Sequence, residues 1–204
     1  EFRRVLFRST AQFVDTLYEF YEPKGKAEIL DNIDWETWLF VSGLPEKPEF
    51  DVTLANQVYA LVDKWVTYVK NGGELPGDET ADFEGEQDML FLETLTEKFK
   101  TLDVKPETIR LFPEIYPKYG ASKNGEIISR WNELLISYGK YSSQDKLVQS
   151  FASWLGTIGR MKYVRPGYLL LRKGISHEFA LEVFKKYEHI YHPICRTMVK
   201  KDLS

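Results

Sequence analysis

The chain has 204 residues, 43% of them hydrophobic and 28% charged, with a formal net charge of −4. That length suffices for one domain with a real core and a fragment of another, while the acidic balance argues against general nucleic-acid binding. No apolar run approaches the length of a membrane span, and a single cysteine, Cys195, excludes an internal disulfide and fits a reducing, cytoplasmic setting.

In chain order, residues 1–9 come first. They are basic, and Val5-Leu6-Phe7-Arg8-Ser9 is what one frame of a common sequencing adapter would encode, so they read as a non-native arm and stay out of the fold. Ala11 to Tyr21 has apolar residues at helical spacing, and Pro23-Lys24-Gly25 breaks it. Ile33 to Val41 is dense in aromatics, and residues 42–50 read as a Pro/Gly linker. Leu54, Val58, Leu61, Val62, Trp65 and Val69 mark one buried helix face, stopped at Asn71-Gly72-Gly73. Glu74 to Glu86 is acidic and glycine-rich and predicts a mobile loop. Met89, Leu92, Leu95 and Phe99 mark the next helix. Pro106 suits the first position of another, with Ile109 and Phe112 inward, and Pro113 and Pro117 keep it short or kinked. Ile127, Trp131, Leu134, Leu135 and Tyr138 form a further face. Ser143 is the expected cap of a helix through Leu147, Phe151, Trp154 and Ile158, and Ser176 that of one through Phe179, Val183, Phe184 and Tyr187. Pro193 divides off a last helix.

No window alternates with period two, so the class is all-α. Successive helices with short turns predict a two-layered helical coil, an alpha-alpha superhelix of armadillo/HEAT-like kind, though no fixed repeat period is visible.

Between Gly159 and Lys173 lie five cations (Arg160, Lys162, Arg165, Arg172, Lys173) and no acid. Positive charge concentrated on a negative protein points to an anion site, with a solvated basic loop as the plain alternative. Arg160 and Lys162 can converge on one carboxylate where the backbone between them is not helical. Gly159 permits a tight turn there, and Pro166 pushes Arg165 into extended backbone.

Three motifs carry a family resemblance. Gly159-Arg160-Met161-Lys162 with Arg165-Pro166 resembles a segment near the C-terminus of leukotriene A-4 hydrolases, bifunctional zinc aminopeptidases of the gluzincin class. Trp38-Leu39-Phe40 and Gly43-Leu44-Pro45, then Lys47-Pro48, Phe50-Asp51 and Thr53-Leu54, is similar to that family's junction between catalytic and C-terminal domains. His192-Pro193 with Lys201-Asp202-Leu203 resembles its C-terminus. Ser42 and Glu46 stand where the family usually has prolines, and Gly167-Tyr168-Leu169-Leu170-Leu171 departs from its pattern.

The resemblance implies that residues 10–41 are the tail of a thermolysin-like catalytic domain and 51–204 the C-terminal helical domain. It further implies that Arg160 and Lys162 bind the free carboxylate of a peptide or fatty-acid epoxide in a cleft formed with the catalytic domain. Gly159 and Pro166 would shape the backbone around them. Arg165 is expected to bond loop carbonyls or the catalytic domain. Arg172 and Lys173 are expected on a solvated face, Glu126 and Arg130 as an ordinary helix pair, and Cys195 as a buried structural thiol. Trp35 and Trp38 are expected at the domain junction, where Ile33 to Val41 would bury its aromatics. Zinc peptidases of this class carry H-E-x-x-H; the three histidines here, His177, His189 and His192, do not form it. His189 is expected on a helix face and His192 at a helix end or turn. Zinc is therefore expected in the full-length parent, bound by residues upstream, with no metal ligand in this chain. The alternative function is a free-standing helical module that binds acidic peptide tails.

Overall fold

Apolar residues three and four apart along Thr53–Asn71 cannot be buried by one helix alone, and the fold supplies partners in sequence order. A computed structural model describes residues 9–44, 47 and 49–204, and the chain divides into two units, Glu1–Phe50 and Asp51–Ser204. Residues 1–8 of the expected arm, and Pro45, Glu46 and Pro48 of the expected linker, lie outside the described residues. No strand occurs among the described residues, and none of their helices is long and apolar enough to cross a membrane.

The first unit holds α1 (Thr10–Tyr21), a 3-10 turn (Glu22–Lys24), α2 (Ala27–Asp31) and α3 (Trp35–Phe40). Ser9, grouped with the arm in the sequence, caps α1 in a reciprocal capping box with Gln12. The Trp35 indole N–H donates to the Leu30 carbonyl at 3.1 Å, so Trp35 closes its own unit. Trp38 is 59% exposed, and Leu39, Phe40 and Val41 are exposed beside it.

The second unit begins with α4 (Thr53–Asn71) and α5 (Gly85–Phe99). Three short helices follow, α6 (Pro106–Arg110), α7 (Phe112–Ile115) and α8 (Pro117–Gly120), then α9 (Gly125–Tyr138) and α10 (Lys146–Leu155). The last are α11 (Met161–Gly174), α12 (His177–Tyr187), a 3-10 turn (Glu188–Ile190) and α13 (Pro193–Leu203). α4 packs on α5, α5 on α9, α9 on α11, and α11 on α12 and α13, the succession of a two-layered helical coil. Each proline expected to interrupt the 106–120 region opens a short helix.

Two hydrophobic cores result. Trp65 centres the first, against Phe112 at 4.4 Å and Tyr116 at 6.2 Å between ring centroids. Its buried indole N–H donates to the Tyr116 hydroxyl at 2.7 Å, which donates to the Gly77 carbonyl at 3.3 Å. Tyr168, Phe184, Tyr191 and Cys195 lie in the second, where Cys195 is fully buried. α9 belongs to both: Ile127, Trp131, Leu134 and Leu135 face the first core and Ile136 the second.

α11 approaches its neighbours through glycine. A Cβ on Gly174 would sit 2.5 Å from Ile136 Cγ2 of α9, and one on Gly167 would sit 2.5 Å from Leu155 Cδ2 of α10. The missing side chain of Gly174 sets the α9–α11 spacing on which the site depends, and that of Gly167 sets the approach of α11 to α10.

Several expectations are corrected. The loop 74–86 is tied down: Pro76 and Thr80 are buried, Lys64 pairs with Glu79 at 2.7 Å, and Lys118 donates to the Thr80 carbonyl. Leu54, in the first turn of α4, is exposed; α5 reaches it through Gln87, which donates to its carbonyl at 3.1 Å. The cap of α10 is Asp145, whose carboxylate accepts from the Ser142 amide at 2.6 Å and hydroxyl at 2.9 Å and so shapes the turn before Lys146. Ser176 caps α12 as expected, accepting from the Phe179 amide at 3.1 Å.

The basic segment is also helical. Pro166 lies inside α11 just past its first turn, where a proline forgoes one amide hydrogen bond. Burial of Val164, Gly167, Tyr168 and Leu171 along one face outweighs that loss and the extended preference of Arg165. Arg165 therefore faces α13, donating to Asp202 through Nε at 2.7 Å and Nη2 at 2.8 Å. Arg172 is half-buried and not on a solvated face; it donates to the carbonyls of Asp202 and Ser204. Together they clasp the end of α13.

Tyr116→Phe leaves the buried Trp65 N–H without its acceptor and is expected to cost about 1–3 kcal/mol in denaturant unfolding. The Arg165 guanidinium beside Asp202 holds that carboxyl below its ordinary range. The clasp is thus at full strength above about pH 4 and is lost as pH falls through the lower folded value. The stability gap between the parent chain and Asp202→Asn is expected to be complete at pH 7 and to close below that range.

Candidate carboxylate-binding site

The two cations singled out in the sequence lie at the start of α11. Arg160 is its N-cap residue, exposed and in extended backbone, without a side-chain cap hydrogen bond. The carbonyl of Arg160 accepts from the amides of Tyr163 at 2.9 Å and Val164 at 3.1 Å, which starts the helix tightly. Gly159 precedes it with ordinary negative-side backbone, and a Cβ there would meet nothing within 4 Å. The turn therefore does not require glycine. Both cations stand at a helix start, and Pro166 lies farther along that helix.

Tyr163 seats both. The Arg160 guanidinium and the Lys162 ammonium each lie 5.7 Å from the centroid of its ring. The ring itself is held by Trp154, 5.9 Å away between centroids, and lies against Gly125, where a Cβ would meet it at 3.3 Å.

Beneath the cations is a carboxylate. Glu126 stands in the first turn of α9, its amide donating to the Asn124 cap at 3.0 Å. Its Oε1 accepts from Lys162 Nζ and, at 2.8 Å, from the Tyr163 hydroxyl. Its Oε2 accepts from Arg130 Nη1 at 2.6 Å, and the same Nη1 also reaches the Glu126 carbonyl at 2.9 Å. Arg130 continues to Glu93 of α5, with Nε 2.7 Å from Oε1. A chain of alternating charge thus links α5, α9 and α11. Hydrogen bonds from Lys162, Arg130 and Tyr163 hold the Glu126 carboxyl down to about 2. It is ionised throughout the neutral range and acts as a fixed negative charge.

Lys162, Tyr163, Glu126, Arg130 and Lys173 border one open groove of about 610 Å³, with Leu170 on its apolar side. Lys162 stays half exposed while its partner Glu126 is 21% exposed. An ammonium has three donors, so the bond to Glu126 leaves capacity for a second anion from the solvent side.

The sequence pointed to Arg160 and Lys162 and passed over Glu126 and Tyr163. Glu126 with Arg130 carries the signature of a helix pair, which it is; its bond to Lys162 spans 36 positions. Tyr163 had one visible signal, an aromatic directly after the second cation.

Among the described residues no group of three or more His, Cys, Asp or Glu could hold a metal ion. His192 is the N-cap of α13, its Nδ1 accepting from the Ile194 amide at 3.3 Å. His189 lies in the 3-10 turn before it and not on a helix face.

Residues 83–203 match the family model described as leukotriene A4 hydrolase, C-terminal. The chain is 98% identical over 196 residues to leucine aminopeptidase 2 of Candida albicans, covering 96% of this chain and 32% of that protein. It is 60% identical to leucine aminopeptidase 2-1 of Scheffersomyces stipitis, covering all of this chain and 33% of the relative. The solved structure of native leukotriene A4 hydrolase from Saccharomyces cerevisiae superposes with a TM-score of 0.74 at 40% identity, over 96% of this chain and 32% of that one. The chain thus spans about a third of the length of the curated relatives it matches. It belongs to the leukotriene A4 hydrolase C-terminal family.

Proposed function

We propose that this chain is the C-terminal helical part of a zinc aminopeptidase with leukotriene A-4 (epoxide) hydrolase activity, and that Arg160 and Lys162 anchor the substrate's carboxylate. The single observation that carries the reading is the seating of both cations on one tyrosine ring at the start of α11, with Lys162 still open to solvent. Two fixed cations make charge-assisted hydrogen bonds to a carboxylate, each worth about 1.5–3 kcal/mol. Anchoring one end of a substrate fixes its register against a distant reaction centre.

The anchored group is the C-terminal carboxylate of a short peptide or the acid head of a fatty-acid epoxide, so one site serves both. Arg160, Lys162 and Arg130 are cations, which repel a zinc ion and attract a carboxylate. In this reading zinc and the reacting groups belong to the catalytic domain, of which residues 10–41 are the tail, joined through 42–50 to the helical domain at 51–204. The chain supplies a wall of the cleft. The exposed Trp38, Leu39 and Phe40 suit packing against the rest of that catalytic domain, and the single unpaired cysteine suits a cytoplasmic protein.

In the complete protein, Arg160→Ala is expected to lower kcat/KM on a short peptide with a free C-terminus by about one to two orders of magnitude, the size of one lost charge-assisted bond. The C-terminally amidated peptide is expected to lose far less. Steady-state kinetics on the matched pair checks this, and equal losses on both contradict it.

A further inference from the structure

We propose that Glu126 is the positioning residue of the carboxylate anchor, holding Lys162 and Tyr163 in the arrangement that receives the substrate. This deepens the anchor reading above and rests on it.

A lysine side chain has four rotatable carbons and a strongly hydrated head, so a half-exposed ammonium is poorly placed by itself. Here one of its three donors is committed to Glu126 Oε1, and the same oxygen accepts from the Tyr163 hydroxyl at 2.8 Å. One atom thus fixes both the cation and the ring on which Arg160 and Lys162 rest. Glu126 is itself immobilised from the opposite side. Arg130 grips its Oε2 and its carbonyl, and Glu93 grips Arg130. The Asn124 cap holds its backbone.

The two carboxylate oxygens have separate partners. Oε2 faces the buttress and Oε1 faces the site. Glu126 is the less exposed member of its pair with Lys162, so the fixed charge lies underneath and the free donors face outward. Glu126 touches no substrate in this arrangement and acts through Lys162.

The test uses the complete enzyme and a matched pair of short peptides, one with a free C-terminus and one amidated. Glu126→Gln keeps the shape and removes the charge. It is expected to raise KM for the free acid about tenfold, the range of one weakened charge-assisted bond, with kcat little changed. The amidated peptide is expected to show a far smaller rise. Lys162→Ala is expected to produce the same selective rise, and adding Glu126→Gln to it is expected to change KM no further, since the two act as one unit.

Tyr163→Phe removes only the second bond to Oε1. It is expected to raise KM for the free acid about threefold and provides the readout if Glu126→Gln does not fold. Multiplying effects in the double variant overturn the proposal. So does a lower KM in Glu126→Gln, which would mean that Glu126 competes with substrate for Lys162. If Arg160→Ala and Lys162→Ala discriminate between the two peptides while Glu126→Gln and Tyr163→Phe do not, the positioning role alone is refuted. If none of the four discriminates, the anchor reading falls and takes this inference with it.

Discussion

Everything at the site depends on how closely α11 lies against α9. α9 is buried on two sides, contributing Trp131, Leu134 and Leu135 to one core and Ile136 to the other, so it cannot shift without disturbing both. Gly174 lets α11 come up against Ile136 where any side chain would collide with it. That close packing carries Lys162 and Tyr163 of α11 to Glu126 of α9. A core contact at one end of α11 thereby sets an electrostatic contact at the other.

The charges are arranged along the same packing order as the helices. Glu93 on α5, Arg130 and Glu126 on α9, and Lys162 on α11 alternate in sign across three successive helices. Each inner member has a partner on either side, which reduces the desolvation cost of partly burying it. The outermost member is a lysine with donors to spare. The second clasp, Arg165 and Arg172 on the end of α13, serves a structural task. One short basic stretch thus divides into cations that close the fold and cations that remain available.

The helices were legible because periodic apolar residues report burial directly. The faces of α4, α5, α9 and α12 follow the predicted pattern, with only terminal residues such as Leu54 astray. At Pro166 local backbone preference is set against tertiary packing, and packing wins: Val164, Tyr168 and Leu171 have a core to enter only if the segment is helical. Arg172 was misread as solvated because its acceptors are the last carbonyls of the chain, 30 positions away. Asp145 displaced Ser143 as a cap through a turn that Ser142 closes. Arg160 and Lys162 were visible as a motif, whereas Glu126 was visible only as half of a helix pair. A bond across 36 positions leaves no local trace, and it follows from Gly174, whose meaning is spatial.

The central claim is that Arg160 and Lys162, seated on Tyr163, hold the acid end of the substrate. A crystal structure of the complete protein with a short free-acid peptide bound tests it most directly. The account predicts the terminal carboxylate about 2.7–3.0 Å from both cations, with Lys162 still bonded to Glu126. A bound peptide whose carboxylate lies elsewhere, with both cations turned to bulk water, contradicts it.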